Sequence, residues 1–451
     1  MQKLTKDVDL TSGLIKDHIK MIAFPAAIGF LFNTLFNVID SLYAGRLGTE
    51  ALAGLALSFP IYFLVLSISQ GMGSAMSALS AIAKGKKDKE TYHALIRHIF
   101  LIGIVVSAFL FVFNHEIISF LFSLTDAKGE SLDLGIVYTE TIMLGFVFFY
   151  INFMINGSLY ALGDSKPFRN FLIIGFFLNI ILNPLFMYGF LFVPAYGIKG
   201  IAYATISVQA IGTLYLSLTL FFNPYFEKTL LLRLSLKWKL YQDIFRQAIP
   251  SILNTATIAI GIFVINYFIL FYGDSTHLAA YGVGIRIEQL VLIPTIGLNI
   301  AALSIIGQNY GANELDRIIE TIKTSIKYGL IIMGVGMVII FPLAPWLIGI
   351  FDDDTSVIQA GTTYLRIETI AFMSYVFINI FVAALQGIKK PGFTLILGVY
   401  RQLVPIGLFY LLGSIFNLGI YGVWIGIVFI NWSAVLISYP YMRYRVNQIK
   451  K

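Results

Sequence analysis

The stretch "NVIDSLYAGRLGTEALAGLAL", residues 37–57, continues an apolar run that begins near Met21 and contains Asp40. A run of this length predicts a helix that spans the hydrocarbon core of a membrane. A carboxylate at the centre of a bilayer costs roughly 2.5–3.5 kcal/mol on insertion scales. We therefore expect Asp40 to face the interior of a helix bundle and to have a function there.

The composition of the chain separates it from soluble domains. Of its 451 residues, 58% are hydrophobic and 12% are charged, whereas soluble domains average about 25% charged residues. The net charge of +7 indicates a basic membrane face and not a nucleic-acid partner. Because cysteine is absent, disulfides, a thiolate nucleophile and a cysteine zinc site are excluded. The polar opening "MQKLTKDVDLTSGLIKDHIK" does not resemble a cleaved signal peptide.

Twelve apolar segments follow one another along the chain. Each has about 20 or more residues, enough to cross the bilayer as a helix, and none shows the alternation of a barrel strand. The predicted spans are 19–44, 52–83, 95–122, 134–161, 168–192, 198–222, 248–272, 277–307, 322–350, 357–386, 393–413 and 418–440.

The positive charges predict the orientation of these spans. If the leader lies inside, the inside segments hold twenty-five lysines and arginines and the outside loops hold three. The excess of basic residues marks the cytoplasmic side, so both termini are predicted to be cytoplasmic. Acidic residues such as Asp126, Glu130 and Asp133 fall in the outer loops, where they are interpreted as solvated.

The two halves of the chain resemble each other. Pro25 matches Pro250 at an offset of 225 residues, "LGDSKP" ending at Pro167 matches "QGIKKP" ending at Pro391 at 224, and "GIKGIA" from Gly197 matches "GIYGVW" from Gly419 at 222. Each half has six spans, an even number, so the copies are predicted to be parallel repeats.

The predicted fold is therefore an all-α integral membrane protein. Its twelve transmembrane helices form two six-helix lobes related by a pseudo-two-fold axis along the membrane normal. The predicted segments are a cytoplasmic leader 1–18, an N-lobe 19–222, a basic amphipathic linker 223–247, a C-lobe 248–440 and a basic cytoplasmic tail 441–451.

Polar side chains form stripes on four helices of the first half. Residues three or four apart share a face of a helix, and such sets are Asn33, Asn37 and Asp40; Asn152 and Asn156; Asn179 and Asn183; and Thr205 and Gln209. At 1.5 Å rise per residue, Asp40, Asn183 and Thr205 lie about 9–12 Å below the predicted outer ends of their helices, with Asn179 one turn deeper. These four side chains can therefore meet, whereas Asn156, about 27 Å deep, is a poorer candidate.

The ordered set of "NVIDSLYAGRLGTEALAGLAL", "LGDSKP" and "LNIILNP" in a six-plus-six plan resembles the multidrug and toxic compound extrusion (MATE) transporters, and more closely their DinF-like prokaryotic branch. The resemblance covers essentially the whole chain. It implies a monomeric antiporter of the prokaryotic cytoplasmic (inner) membrane that exports small amphipathic, mostly cationic compounds. No cofactor is implied beyond a coupling ion, H⁺ or Na⁺.

The resemblance also implies a proton- or cation-binding cluster of Asp40, Asn179, Asn183 and Thr205. This sequence departs from relatives that have a second aspartate where it has Asn183. With one carboxylate, protonation alone neutralises the site, so H⁺ is favoured over Na⁺. For Asn33, Asn152 and Asn156 the alternative is interhelical hydrogen bonding; Asn37 and Gln209 belong to the same supporting group.

The second half lacks this chemistry, since Ile265 occupies the position of Asp40. Its helix 8 instead contains Arg286 and Glu288, which point to nearly opposite sides because they are two residues apart. Two interpretations stay open for them: structural ion pairs, or a substrate cavity in which Glu288 attracts cations. Arg366 and Glu368, near the predicted outer surface, are interpreted as structural.

Other features predict packing and motion. "GMGSAMSALSA", residues 71–81, is a small-residue stretch that lets helices approach closely. Pro25 and Pro250 predict kinks, and we expect Pro25, below Asp40, to act as a hinge. The main alternative function is a flippase of lipid-linked precursors or glycans, which needs a more cationic cavity than the few intramembrane arginines supply. The sequence lacks the motifs of a membrane-embedded enzyme, and a passive channel would not need an internal repeat.

Overall fold

The computed structural model describes residues 7–125, 128–231 and 237–450. Throughout these ranges the chain is helical apart from short connections, and the one strand-like feature found there is an isolated bridge between Phe190 and Val193. The following predicted charges lie outside the described residues: Lys3 and Lys6 in the leader, Asp126 in a predicted outer loop, Arg233 in the linker and Lys451 in the tail.

Within the described ranges, ten continuous helices are long and apolar enough to cross a membrane. Two further pairs of helices pass the same test together, but are bent by 53° and 50° at a short break. The bent pairs coincide with the predicted spans 134–161 and 357–386. Counting each pair as one span gives twelve, so the predicted number of spans is confirmed.

The first six spans and the linker contain helices α1 to α9. These are α1 (Ile15–Leu47), α2 (Thr49–Gly85), α3 (Lys89–Val112), α4 (Asn114–Ser123), α5 (Glu130–Met143), α6 (Phe146–Ala161), α7 (Lys166–Tyr188), α8 (Ile198–Phe221) and α9 (Lys228–Leu231). The third span differs from the prediction: it breaks at Phe113 between α3 and α4, and does not run as one helix over 95–122.

The last six spans contain helices α10 to α16. These are α10 (Trp238–Tyr272), α11 (Ser275–Gly311), α12 (Leu315–Gly349), α13 (Thr355–Glu368), α14 (Phe372–Gly387), α15 (Gly392–Tyr410) with a π-helical turn Leu411–Ile415, and α16 (Ile420–Asn447). In each half the fourth span is the bent one, α5 with α6 and α13 with α14. The order of elements therefore repeats, as the sequence offsets predict.

The described residues form two compact units, which exchange the beginnings of two helices. The first unit contains residues up to Asp9 and the range Ile28–Ile252, and the second contains Leu10–Ala27 and the chain from Leu253 onward. Helix α1 thus gives its first thirteen residues to the second unit. Helix α10 gives its residues up to Ile252 to the first. Pro25 and Pro250 each lie two residues before these divisions.

Close packing of α2 on α6 holds the first unit together at the predicted small-residue stretch. A Cβ atom on Gly73 would lie 2.8 Å from the carbonyl oxygen of Phe153, and one on Gly157 would collide with the carbonyl of Gly73. Only glycine allows two backbones to approach this closely. The expectation for residues 71–81 is therefore confirmed.

The described parts of the linker attach to the beginning of α3. Two histidines of α3 accept hydrogen bonds from linker backbone amides: His93 Nε2 from the Glu227 N–H at 2.8 Å, and His98 Nε2 from the Lys237 N–H at 3.1 Å. Lys89 adds an ion pair with Glu227 at 2.5 Å. That bond lowers the pKa of the exposed Glu227 carboxyl, because it stabilises the charged form.

Candidate functional site

Asp40 lies buried in α1 and is the centre of a polar cluster in the first unit. Its side chain is only 6% exposed. Its Oδ1 atom accepts hydrogen bonds from Asn179 Nδ2 and Asn183 Nδ2, both at 2.9 Å. Its Oδ2 atom accepts a longer bond, 3.3 Å, from Thr205 Oγ1. The four side chains that the depth argument brings together therefore do lie together.

Helix geometry positions the donors. Asn179 and Asn183 are one turn apart on α7, so their amides share a face, and Asn183 Nδ2 also donates to Asn179 Oδ1 at 3.0 Å. Thr205 lies in α8, which packs beside α7. The cluster thus joins three helices, α1, α7 and α8, through one carboxylate.

The electrostatics of the cluster depend on Asp40 alone. Throughout the described ranges, no nitrogen of lysine, arginine or histidine lies within 4 Å of its carboxylate. Neutral amide and hydroxyl dipoles are the only groups that stabilise its negative charge there. Since burial disfavours an unpaired charge, the site is suited to binding one positive charge, either a proton or a small monovalent cation.

A cavity of about 40 Å³ opens beside Asp40. One water needs at least roughly 10–15 Å³, so the cavity has room for a few waters, or for a small ion with part of its hydration shell. Asn33, Asn37, Thr205 and Gln209 supply its polar lining. The first-helix stripe therefore faces this cavity, as the helical spacing predicts.

Two tyrosines in the cavity wall escaped the sequence analysis. Tyr62 on α2 and Tyr138 on α5 line the cavity together with Phe149, and the ring of Phe149 packs edge-on against Tyr62 at 5.8 Å. With 64 phenylalanines and tyrosines in the chain, no local pattern singles these two out. They line the cavity because α2 packs against α5, a tertiary contact that the sequence pattern does not reveal.

The polar residues of α6 belong to a neighbouring network. Asn152 Nδ2 donates to Gln209 Oε1 at 2.8 Å, and Asn152 Oδ1 accepts from Thr213 Oγ1 at 2.9 Å. This is the interhelical hydrogen bonding expected as the alternative for Asn152. Asn156 is buried one turn further along α6 and has no described bond to Asp40 or its three donors.

In the second unit, Arg286 is exposed and Glu288 is 7% exposed, so the two diverge as their spacing predicts. Glu288 accepts a hydrogen bond from the Tyr364 hydroxyl at 2.9 Å. Glu368 is buried as well, with 1% of its surface exposed, and its place near the outer side of the membrane stays a prediction. Its neighbour Arg366 turns away and donates to the Phe341 carbonyl oxygen at 3.2 Å.

No group of three or more histidine, aspartate or glutamate side chains placed to hold a metal occurs in the described part of the chain. At the Asp40 cluster, a monovalent cation would be held by the oxygen atoms of its side chains. In the structure the two amides and the threonine present hydrogens to Asp40. The Asn183 Oδ1 atom has no hydrogen-bond partner among the described residues. A cation needs oxygen lone pairs from several of these side chains, whereas a proton needs only the Asp40 carboxylate.

Comparison with known proteins places this chain among transporters. The family model described as MatE matches twice, over residues 25–185 and 250–411. The two matches begin 225 residues apart, as Pro25 and Pro250 do, so the internal repeat is confirmed.

Individual relatives match over most of their length. The chain is 26% identical to "Probable multidrug resistance protein YoeA" of Bacillus subtilis, covering 93% of this chain and 92% of that one. It is 24% identical to an "FAD transporter" of Shewanella oneidensis, with 84% of each covered. A solved structure of an outward-facing "multidrug resistance MATE family transporter" is 28% identical, covers 99% of both chains and gives a TM-score of 0.92.

Proposed function

This chain belongs to the MatE family, and we propose that it exports drugs or other toxic compounds in exchange for H⁺ bound at Asp40. The substrates are small amphipathic compounds, mostly cationic. The protein works as a monomer in a prokaryotic cytoplasmic membrane with both termini inside, an orientation supported by the distribution of its lysines and arginines.

The buried Asp40 carboxylate, with three neutral donors and no described basic partner, carries this proposal. One proton neutralises the cluster completely, because Asp40 is its one charged member and Asn179, Asn183 and Thr205 are neutral. Na⁺ is the alternative coupling ion. It is less favoured because the site has one formal negative charge, and the three neighbouring side chains direct hydrogens at that carboxylate.

Exchange follows from the charge of this site. When the transporter is open to the outside, a proton reaches Asp40 through the polar cavity and removes the charge that its donors stabilise. Substrate is released, the protein reverses, and the proton leaves inward as the next substrate binds. The membrane potential contributes about 2.3 kcal/mol per charge per 100 mV. A one-for-one exchange of H⁺ with a monovalent cation therefore depends on the pH gradient alone.

The decisive experiment is efflux of a fluorescent cation in everted membrane vesicles, with pH and Na⁺ gradients imposed separately. In the Asp40→Asn variant we expect the pH-driven signal to fall to that of vesicles without the protein, because no proton can bind. Asp133→Asn, a charge change at an exposed position of α5, is the matched control and should match the parent. Undiminished efflux by Asp40→Asn would remove Asp40 from the mechanism.

The same vesicles discriminate among substrates. FAD belongs in the panel because one relative is named for it, and a lipid-linked glycan represents the flippase alternative. Transport of the glycan without transport of the cation would replace the drug-export proposal.

Pro25 is proposed as the hinge that couples Asp40 to motion. Proline lacks the N–H that would bond one turn back in the helix, and α1 passes from the second compact unit to the first two residues later. The same holds for Pro250 in α10. A helix weakened where it leaves one unit for the other can bend there without disturbing either core.

Pro25→Ala restores the missing hydrogen bond and should stiffen α1. We expect a several-fold loss of gradient-driven efflux with little change in the amount of protein in the membrane. Pro440→Ala, inside α16, controls for removal of any helix proline. Equal losses of efflux and of expressed protein would make Pro25 a structural residue only.

A further inference from the structure

The connection between α7 and α8 exposes three consecutive large apolar side chains. Its sequence "YGFLFVPAYG", residues 188–197, contains no charged residue. Phe190 is 66% exposed, Leu191 82% and Phe192 97%. These residues lie beyond the end of α7 at Tyr188, so they do not belong to a membrane-spanning helix. A contiguous exposed apolar group of this kind marks an interaction surface.

Hydrogen bonds hold this connection in one conformation. Phe190 and Val193 exchange two backbone bonds, each of 3.0 Å from nitrogen to oxygen. The N–H groups of Tyr196 and Gly197 donate to carbonyl oxygens in the last turn of α7 at 3.0 and 3.1 Å. The apolar side chains are therefore presented by an ordered turn, which is fastened to the end of the helix.

The turn places a leucine where the backbone favours a different residue. Leu191 has a φ of 54°, in the left-handed region that glycine adopts freely and that is unfavourable for a residue with a branched side chain. In the corresponding connection of the second half, the residue in this region is Asn417, which tolerates it better. A leucine that is both strained and exposed points to a function for its side chain.

The surroundings of the turn indicate a lipid partner. Ile174, Phe177 and Ile181 are each at least half exposed and share one face of α7. Because α7 is long and apolar enough to cross a membrane, this face is expected to contact acyl chains. Tyr188 and Tyr196, both exposed, flank the turn, and aromatic residues are enriched where a span meets the headgroups. The turn thus continues an apolar surface to the depth of the interface.

A protein partner fits this surface less well. Interfaces between proteins have a polar rim that supplies direct hydrogen bonds, and residues 188–197 offer no charged side chain for one. The next charge along the chain is Lys199, which is exposed in the first turn of α8. A lysine beside an apolar surface can place its ammonium group among lipid phosphates.

We propose that Phe190, Leu191 and Phe192 insert among the lipid headgroups and the first acyl carbons, and anchor the connection between α7 and α8 to the bilayer surface. The anchor lies at the end of α8 opposite the linker. It holds together the ends of the two helices that carry the three hydrogen-bond donors of Asp40. This inference goes beyond the proposed exchange, and its test requires no transport.

Spin labelling of the protein in vesicles of phosphatidylethanolamine and phosphatidylglycerol tests the anchor. Because the chain has no cysteine, Phe192→Cys provides a single thiol for a nitroxide label at a position that is not packed. Oxygen concentrates in the hydrocarbon, whereas a nickel chelate stays in water. We expect the ratio of oxygen to nickel accessibility to be several-fold higher than for the label in Glu130→Cys, an exposed acid at the start of α5. It should approach the ratio for Phe177→Cys in the exposed row of α7.

A ratio equal to that of the Glu130→Cys label would place the turn in water and overturn the proposal. Protection from both reagents would also overturn it, because protein would then cover the turn. Spin–spin broadening that disappears on dilution with unlabelled protein would identify that cover as a second copy of the chain. If Phe192→Cys is not recovered from the membrane, Phe190→Cys on the same turn replaces it, with the same expected and contrary results.

Discussion

The two buried acidic clusters of the molecule differ in the groups that stabilise their negative charge. The first unit surrounds a single carboxylate, Asp40, with two amides and a hydroxyl, all neutral. The second buries two carboxyls, Glu288 and Glu368, among tyrosine hydroxyls and one arginine. The first site can change its charge by one unit with no compensating residue nearby. The second keeps a permanent cation beside its acids.

The difference shows what the internal repeat retains. The order of helices is the same in both halves, including the bent fourth span. The buried polar residues, however, lie at different positions in the two halves. Ile265 replaces Asp40 in the corresponding helix, and Leu403 and Gly407 stand opposite Asn179 and Asn183. The acids of the second unit lie on α11 and α13. The protein is a membrane transporter, not an enzyme, and the same order of helices holds different buried polar residues in its two halves.

The largest expected effect comes from giving the first site a second acid. Asn183→Asp places two carboxylates side by side in a pocket without a fixed positive charge, so we expect it to bind Na⁺. A ligand at a hundredfold excess over its Kd stabilises the folded state by about 2.7 kcal/mol. Replacing KCl with NaCl should therefore raise the melting temperature of the variant measurably, and leave the parent unchanged.

Asn170→Asp, on the same helix but away from Asp40, is the control for added charge. If NaCl stabilises the parent as strongly as Asn183→Asp, Asp40 alone already binds Na⁺. The contrast between a one-charge and a two-charge site would then be lost.

A smaller effect is expected when the second site loses one tyrosine donor. Tyr364→Phe leaves Glu288 Oε2 buried without its hydrogen bond, and an unsatisfied buried group costs about 1–3 kcal/mol. The melting temperature in detergent should fall, whereas Tyr410→Phe, an exposed tyrosine of α15, should have little effect. Equal melting curves for the two variants would mean that the hydroxyl of Tyr364 contributes nothing to the site.

The Asp40 cluster could be predicted from the sequence because each of its polar stripes lies within a few turns of one helix. The stripe of Asn37 and Asp40, and the one-turn spacing of Asn179 and Asn183, fix which faces are polar, and rise per residue fixes their depth. For the side chains to meet, the one further condition is that α1, α7 and α8 pack beside one another. The role of the cluster in ion coupling is not determined by this geometry and stays a proposal.

The second cluster of acids was not predicted because its members lie on different helices, Glu288 on α11 and Glu368 on α13, so no spacing along one helix relates them. The bend in the tenth span was not predicted either. In the structure the helix breaks after Glu368 and resumes at Phe372, bent by 50°. The intervening "TIA" contains neither glycine nor proline, so no residue there signals the change of direction. Tertiary packing fixes the position of this carboxylate.

The reciprocal exchange of helix beginnings has a consequence for biosynthesis. Residues 10–27 leave the ribosome early, yet the unit that they complete otherwise starts at Leu253. This unit is therefore complete only after more than two hundred further residues have been translated. Neither half of the chain contains all the residues of one compact unit. Severing the polypeptide between α9 and α10 should yield fragments that accumulate only when they are produced together.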